Sequence, residues 1–458
     1  MSNLFRNIPS VNDLLDSPPL KSLMDQIHRN VVTSGVRNFL TNLRSSSPSP
    51  KDLQVPITDL AERIAQWIHL EQQPSLIPVI NATGILLHTG LGRAPLPEVA
   101  VEAIQQTSSG YASVEVDVQS GQRSQRVAAV EGLLQELTGA EAAAIVNNNA
   151  GATFLTLAAL AHGQEVIVSR GELVEIGGSF RLPDVMASSG AVLREVGTTN
   201  KTRIGDYEKA INEDTAALMR VHTSNYVVMG FTESASLDEM IALGKKRDLP
   251  VIDDIGSGAM VDLSKYGLPD EPLAADSIKA GSDVVLFSGD KLLGGPQCGI
   301  IVGKKEPIKK IAKHPMMRAF RVDKMTLAAL AATLRLYQNP DTVESNVPLL
   351  MMLSTPVENL QNRAERLVMQ LQEAGAVSAT EAVSDHTFLG GGTVPTQQIP
   401  TYCVALTPKQ GNANDFAARL RKSSPCVFGR VSQDRVLLDL RSVPVTHDAQ
   451  LIEVVMGL

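Results

Sequence analysis

The residue with the most reactive setting is Lys291. It lies in Phe287-Ser288-Gly289-Asp290-Lys291-Leu292-Leu293-Gly294-Gly295-Pro296, between the apolar runs Val284-Val285-Leu286 and Gly299-Ile300-Ile301-Val302. Runs of this length and β-branched content predict two buried strands joined by a tight, glycine-rich loop. Burial disfavours an ammonium ion, so the pKa of such a lysine falls and its neutral, nucleophilic form becomes available to condense with an aldehyde. A strand-end lysine that merely reaches solvent is the simpler use, and the decapeptide alone leaves both open.

Three other predicted strand ends carry matching chemistry. Ala142-Ala143-Ala144-Ile145-Val146 runs into Asn147-Asn148-Asn149-Ala150-Gly151-Ala152-Thr153 and then an apolar helix. Small residues at a helix start leave N–H groups bare at the positive end of the dipole, which suits a phosphate. Asn149, Ala150 and Gly151 are the candidate contacts, with hydroxyls from Thr153 and Ser288. Pro250-Val251-Ile252 ends in Asp253-Asp254, and a buried carboxylate there needs a cationic or hydrogen-bonding partner, such as a protonated pyridine nitrogen. Asp254 is the preferred candidate and Asp253 the alternative, because strand alternation cannot be fixed to one residue from sequence. Ala216 to Val221 leads to His222-Thr223-Ser224-Asn225-Tyr226, where Asn225 is a candidate donor to a phenolic oxygen. Lysine, carboxylate and phosphate-suited helix start together are what a pyridoxal 5'-phosphate site requires. The chain has no H-E-x-x-H, no Walker lysine loop and no G-x-S-x-G elbow.

Elements must bring these residues together. From about residue 78, short apolar strands alternate with helical stretches, predicting βαβ units and a mainly parallel sheet. In such sheets ligands bind beyond the carboxyl ends of the strands, where all of these residues fall. The chain has 458 residues, 43% hydrophobic and 20% charged, which predicts two or three globular domains. Residues 1–75 read as a helical domain, residues 76–345 as the large α/β domain, and residues 346–458 as a smaller α+β domain. In the first, Ser10 and Asp13 form a capping-box pattern, a helical run spans Leu20 to Phe39, and Leu60, Ile64, Trp67 and Ile68 share a face of a further helix. Ser45 to Pro50 reads as a linker. Helical Val357 to Ala374, strands at Tyr402–Leu406 and Val436–Leu440, and a helix from Asp448 to Met456 are expected in the last domain.

The net charge of -8 offers no global positive field, so any RNA contact must use local patches. Arg6, Lys21, Arg29, Arg37, Arg44, Lys51 and Arg63 are balanced by acidic residues, Asp52 among them, in the first domain. Three widely spaced cysteines, Cys298, Cys403 and Cys426, fit neither a disulfide framework nor a zinc site, and point to a reducing cytoplasm. With no signal-peptide pattern and no apolar run of about 18 residues, the expectation is no export and no membrane span.

The sequence resembles the bacterial selenocysteine synthases, the L-seryl-tRNA(Sec) selenium transferases. The matching stretches are Ile80-Asn81-Ala82-Thr83-Gly84 with Leu87-His88-Thr89 and Leu91-Gly92-Arg93-Ala94; Arg170 to Gly178; Val196-Gly197-Thr198-Thr199-Asn200; Val221 to Tyr226; Asp254 to Gly258; Phe287 to Gly295; and Arg321 to Thr326. The resemblance implies a fold-type I pyridoxal phosphate transferase with Lys291 as Schiff-base lysine. It further implies a homodecamer built from dimers, a tRNA-binding N-terminal domain, and selenophosphate as selenium donor, with no metal and no DNA partner. Carried over by motif, Arg93, Arg318 and Arg321 are anion-binding residues, suited by their planar guanidinium forks, and Asp290 is an acid/base candidate. Two departures stand out. Gly90 occupies a position usually held by Asn, which removes a donor near Arg93, and Ser124 replaces the second glycine of a G-x-R-G-x-R pattern, a strained exchange if φ is positive there.

The implied reaction removes the serine β-hydroxyl on a charged tRNA and puts selenium in its place, with Lys291 moving the α-proton. Two rivals stand beside it: a lyase with the same cofactor acting on a small free amino acid or amino sugar acid, and a non-catalytic tRNA-binding scaffold.

Overall fold

The computed structural model describes residues 9–45, 56–72, 74–178, 180–390 and 398–458. Arg6, Lys51, Asp52 and most of the expected linker, residues 46–50, lie outside the described residues. Contacts divide the chain into two compact units, Met1–Pro78 and Val79–Leu458.

The first unit is helical, with helices Val11–Leu15, Pro18–Met24, Arg29–Ser45 and Ile57–Gln72. Both hydrogen bonds of the Ser10–Asp13 capping box form. The run expected from Leu20 to Phe39 is two helices, interrupted where the Gln26 and Ile27 amides both donate to the Leu23 carbonyl. The break lets two short apolar faces, Leu20 with Leu23 and Val32 with Val36 and Leu40, enter one core with Leu60, Ile64 and Ile68. Trp67 is only partly buried and meets Phe39 edge-on at 5.8 Å between ring centroids.

The second unit is built on a seven-stranded sheet whose strands are β2 (Ala142–Val146), β3 (Glu165–Ser169), β6 (Val192–Val196), β7 (Thr215–Val221), β8 (Val251–Gly256), β9 (Val284–Ser288) and β10 (Gly299–Gly303); β4 (Glu175–Ile176) and β5 (Phe180–Arg181) form a separate short pair. The order across the large sheet is β2-β10-β9-β8-β7-β3-β6. Six of these coincide with expected strands. The one missed is β6, an edge strand with mostly exposed residues, so it lacks the continuous apolar run that marks its neighbours. Only β10 runs against the rest. Side chains alternate between two cores: Val285, Phe287, Ile300 and Val302 enter one, and Val284, Leu286 and Ile301 enter the other.

A second sheet has the order β1-β13-β14-β12-β11, formed by β1 (Val79–Ala82), β11 (Val377–Phe388), β12 (Gln398–Pro408), β13 (Cys426–Ser432) and β14 (Arg435–Asp439). It has its own core, packed by helices Val357–Leu371 and Asp448–Met456. It is not made from the C-terminal stretch alone, because β1 pairs in parallel with β13. The segment after β1 then carries the chain to Arg93. Gly84 makes this passage: its φ is +74°, its N–H donates to Ser442 Oγ, and its carbonyl accepts from Phe388 N at 2.8 Å. A Cβ there would lie 2.3 Å from Asp439 Oδ2. Asp439 is fully buried and cannot withdraw, since Thr387, Thr401 and the Arg441 amide all donate to it. Gly84→Ala is expected to destabilise the second unit by roughly 3 kcal/mol, combining backbone strain with a clash. A melting temperature within a degree of the parent protein would contradict this.

Candidate active site

Strands β7, β8 and β9 are parallel, and β2 shares their direction because both β2 and β9 are antiparallel to β10. Their carboxyl ends therefore meet at one edge of the sheet. There the residues after β9, β8, β7 and β2 converge.

Lys291 follows β9 on a loop closed by backbone bonds from Gly289 N to Cys298 O, Gly295 N to Gly289 O and Leu292 N to Ser257 O. Ser257 and Gly258 press directly on this loop: Gly258 has φ +75°, and a Cβ would sit 2.6 Å from the Ser288 carbonyl. Lys291 is 5% exposed. Burial lowers its pKa, the Arg93 guanidinium adds to the effect, and the carboxylates of Asp254, Asp290 and Glu271 oppose it. The amine is thereby moved toward its neutral form, as a nucleophile requires.

Strand alternation sends the two aspartates of β8 to opposite faces. Asp254 accepts from Asn149 Nδ2 and from Thr153 Oγ1, each at 2.9 Å. Asp253 accepts from Ser277 Oγ at 2.7 Å and faces Arg220 at 3.5 Å. Asp254 is thus the one brought to the Lys291 side. Burial raises its pKa, while the two hydrogen bonds and Lys291 act to lower it.

The helix start after β2 differs from the expectation in its details. Asn148 caps it, accepting from Gly151 N at 2.8 Å. Thr153 Oγ1 and Asn149 Nδ2 are spent on Asp254, so these two side chains act on the carboxylate rather than as phosphate donors. Ala150 and Gly151 keep their place in the first turn, and Ser288 ends β9 in a buried position. Asn225 is held by its Nδ2 donating to the Glu175 carbonyl at 2.7 Å, and its buried Oδ1 has no partner among the described residues.

Arg93 adopts φ 62° and donates from Nη1 to Asp290 Oδ2 at 2.9 Å, which places this pair beside the lysine. The buried Asp290 Oδ1 has no hydrogen-bond partner among the described residues. Arg318 and Arg321 are exposed. Arg321 bridges by its backbone to Val146 at the end of β2, and its Nη1 lies 3.9 Å from Glu115. A Cβ at Gly90 would lie 3.3 Å from the His88 ring, so any larger residue there must press on that imidazole. Ser124 is not among the residues with positive φ, so the exchange for glycine carries no strain.

Two acidic groups escaped sequence reasoning. Glu271 is 8% exposed, neither carboxylate oxygen has a hydrogen-bond partner among the described residues, and Oε1 lies 3.7 Å from His222 Nε2. Its setting, Pro269-Asp270-Glu271-Pro272, reads as an ordinary acidic turn, so no local signal marks it. Glu172 accepts from Val221 N at 2.9 Å, and burial pushes its pKa up to about 7. It lies within the Arg170 to Gly178 stretch, which gave it no separate role.

Glu271 yields a pH prediction with a definite sign. Its negative charge favours the Lys291 ammonium, so Glu271→Gln lowers the lysine pKa further and makes the neutral amine available at lower pH. Uptake of pyridoxal phosphate by the apoprotein, followed by visible absorbance, is expected to reach half-maximal rate at lower pH in the variant. An unmoved midpoint would show that Glu271 exerts no charge on the lysine.

The site fits an aromatic cationic ring bearing an aldehyde and a phosphate. Asp254, buried and braced by two donors, suits a ring N–H; Lys291 suits the aldehyde; the helix start suits the anion; and unpaired Asn225 Oδ1 and Asp290 Oδ1 leave polar capacity for a ligand. Among the described residues no cluster of His, Cys, Asp and Glu could hold a metal ion.

Comparison with known proteins gives the same direction. Residues 79–444 match the model of the L-seryl-tRNA selenium transferase family, and residues 5–44 match a selenocysteine synthase N-terminal model. The L-seryl-tRNA(Sec) selenium transferase of Carboxydothermus hydrogenoformans is 46% identical over 97% of this chain and 95% of its own. That of Geobacter sulfurreducens is 44% identical over 96% of both chains. Among solved structures, D-glucosaminate-6-phosphate ammonia-lyase shares the fold, with a TM-score of 0.57 and 22% identity over 85% of this chain and 97% of its own. On the strength of a family match across most of its length and of these near full-length identities, the chain belongs to the L-seryl-tRNA selenium transferase family.

Proposed function

We propose that this protein is a pyridoxal phosphate enzyme of fold type I that converts seryl-tRNA(Sec) to selenocysteinyl-tRNA(Sec), taking selenium from selenophosphate. The observation that carries the reading is the near full-length identity to transferases of that name, in a chain whose buried Lys291 lies among Asp254 and the Arg93–Asp290 pair. The cofactor would be held by Lys291, Asp254, Ala150, Gly151, Ser288 and Asn225, with Asn149 and Thr153 bracing Asp254. When bound, pyridoxal phosphate supplies an electron sink for negative charge left at the serine α-carbon.

The chain's own groups do the rest. Lys291 Nζ, neutral at lower pH than an exposed lysine, takes the proton from the α-carbon. Asn149 and Thr153 donate to the two oxygens of Asp254, which offsets part of the burial that raises its pKa and orients the carboxylate toward the ring nitrogen. Asp290, oriented by Arg93, is positioned to deliver a proton to the departing β-hydroxyl, and Arg93, Arg318 and Arg321 bind the donor's anionic oxygens. The Cβ–O bond breaks and a Cβ–Se bond forms. Water lost with the hydroxyl is balanced by the water that takes up the phosphoryl group as phosphate.

Residues 1–75 form the tRNA-binding module in this reading, residues 76–345 the catalytic part and residues 346–458 the small domain, in a cytoplasmic homodecamer. No described helix is long and apolar enough to cross a membrane. The test pairs purified holoprotein with seryl-tRNA(Sec) or seryl-tRNA(Ser), with and without selenophosphate. Selenocysteinyl product is expected only with seryl-tRNA(Sec) and the donor together. Turnover of a free amino acid or amino sugar acid without RNA, or a colourless protein that binds tRNA and converts nothing, would overturn the reading.

A further inference from the structure

The chain carries 41 basic against 49 acidic side chains, so attraction to a polyanion must come from a local surface. One helix of the second unit concentrates positive charge. Lys304-Lys305-Glu306-Pro307-Ile308-Lys309-Lys310-Ile311-Ala312-Lys313 places five lysines against one glutamate, and helix Lys305–Lys313 buries Ile308 and Ile311 while all five lysines stay exposed. Lys305, Lys309 and Lys313 recur every four residues, so they line one flank over about 12 Å. That flank borders a groove of about 710 Å³, shared with Arg123 and Arg126.

Of the acidic residues of the groove, Glu115 is ion-paired and the other two accept from backbone amides. Glu115 is held by Arg126 at 2.8 Å and Arg123 at 3.2 Å, Glu141 accepts from Lys305 N at 2.9 Å, and Glu131 accepts from Ala143 N at 3.3 Å. Lys309 has only Glu306, at 3.6 Å on its own helix, and Lys305 and Lys313 have no carboxylate within 4.0 Å among the described residues. Met317 lines the groove and Arg318 follows it in the chain, while Arg321 lies 3.9 Å from Glu115, another lining residue. Helix Lys305–Lys313 starts beside Glu141, just before β2, and leads to Arg321, which bridges Val146 at the end of β2, so a phosphate backbone leaving the site past Arg321 can follow it.

We propose that the Lys305, Lys309 and Lys313 flank receives the phosphate backbone of the acceptor end of the tRNA substrate. The inference rests on the tRNA-dependent reading above and adds a contact surface on the catalytic unit itself. Each lysine that neutralises a phosphate releases a counterion, so its loss reduces the salt dependence of binding along with affinity.

The test uses the full-chain holoenzyme carrying Lys305→Gln, Lys309→Gln and Lys313→Gln together, glutamine being a comparable helix former. Binding of tRNA(Sec) is measured over a series of KCl concentrations. Affinity is expected to fall by about 10-fold or more, and the slope of log affinity against log salt to shrink by about 2, near 0.7–0.9 for each lost contact. Lys245→Gln with Lys310→Gln, which remove lysines from a different groove, should leave the slope unchanged. Single variants at 305 and 313, each expected to reduce the slope by about 0.8, decide the matter if the triple variant does not fold. Unchanged affinity and slope in the triple or single variants, or an equal loss in the 245/310 pair, would overturn the proposal. Failure of the unsubstituted protein to bind tRNA(Sec) would instead overturn the tRNA-dependent reading.

Discussion

Lys291→Ala is expected to lower selenocysteinyl-tRNA formation by at least about 10³-fold, the combined loss of a covalent anchor and a proton-transferring amine. The physical case is that nothing near can substitute. Lys291 is buried at the carboxyl edge of the sheet, its pKa lowered by desolvation and by Arg93, and its loop is fixed by bonds to Ser257, Gly289 and Cys298. The variant should therefore emerge from gel filtration without a visible cofactor band, and borohydride should fix no cofactor to it. Alanine leaves the loop's backbone bonds intact, so melting behaviour should stay close to that of the parent apoprotein. A variant that retained borohydride-fixed cofactor and parent-like turnover would remove Lys291 from its assigned role.

The second large effect is expected at Asp254. Asp254→Asn keeps the shape but replaces an acceptor-only group with an amide that can accept at one atom alone. Asn149 Nδ2 and Thr153 Oγ1 both donate to the carboxylate, so one donor must lose its partner or face another donor. The charge that would keep a ring nitrogen protonated disappears at the same time. Loss of an electrostatic contribution of this kind in a dry site costs about 10²–10³-fold in turnover. Cofactor should still attach at Lys291, with an altered absorbance spectrum, because the lysine lies on a different strand. Asp253→Asn provides the contrast: that side chain faces Ser277 and Arg220 on the opposite face of β8, and its substitution is expected to affect stability more than the spectrum. Equal spectral changes in the two variants would contradict the assignment.

The central strands were readable because each is buried on both faces and shows as an unbroken apolar run. Lys291 was readable for the same reason, since a lone lysine between two such runs has few structural uses. Edge strand β6 and strands β11 and β13 of the smaller sheet alternate or expose their residues, which leaves a weaker pattern. The break at Gln26 is likewise set by packing, because three apolar stripes must meet one core.

Sequence alone determined the order of lysine, carboxylate and helix start along the sheet, and with it the edge at which they gather, because parallel strands bring their carboxyl ends together. Tertiary structure decided which aspartate turns toward the lysine, since a shift of one residue in a strand reverses its face. It decided that Asn149 and Thr153 serve Asp254, that Arg93 reaches Asp290 across almost two hundred residues of chain, and that Glu271 faces His222. These are contacts between segments distant in sequence, and no local periodicity records them.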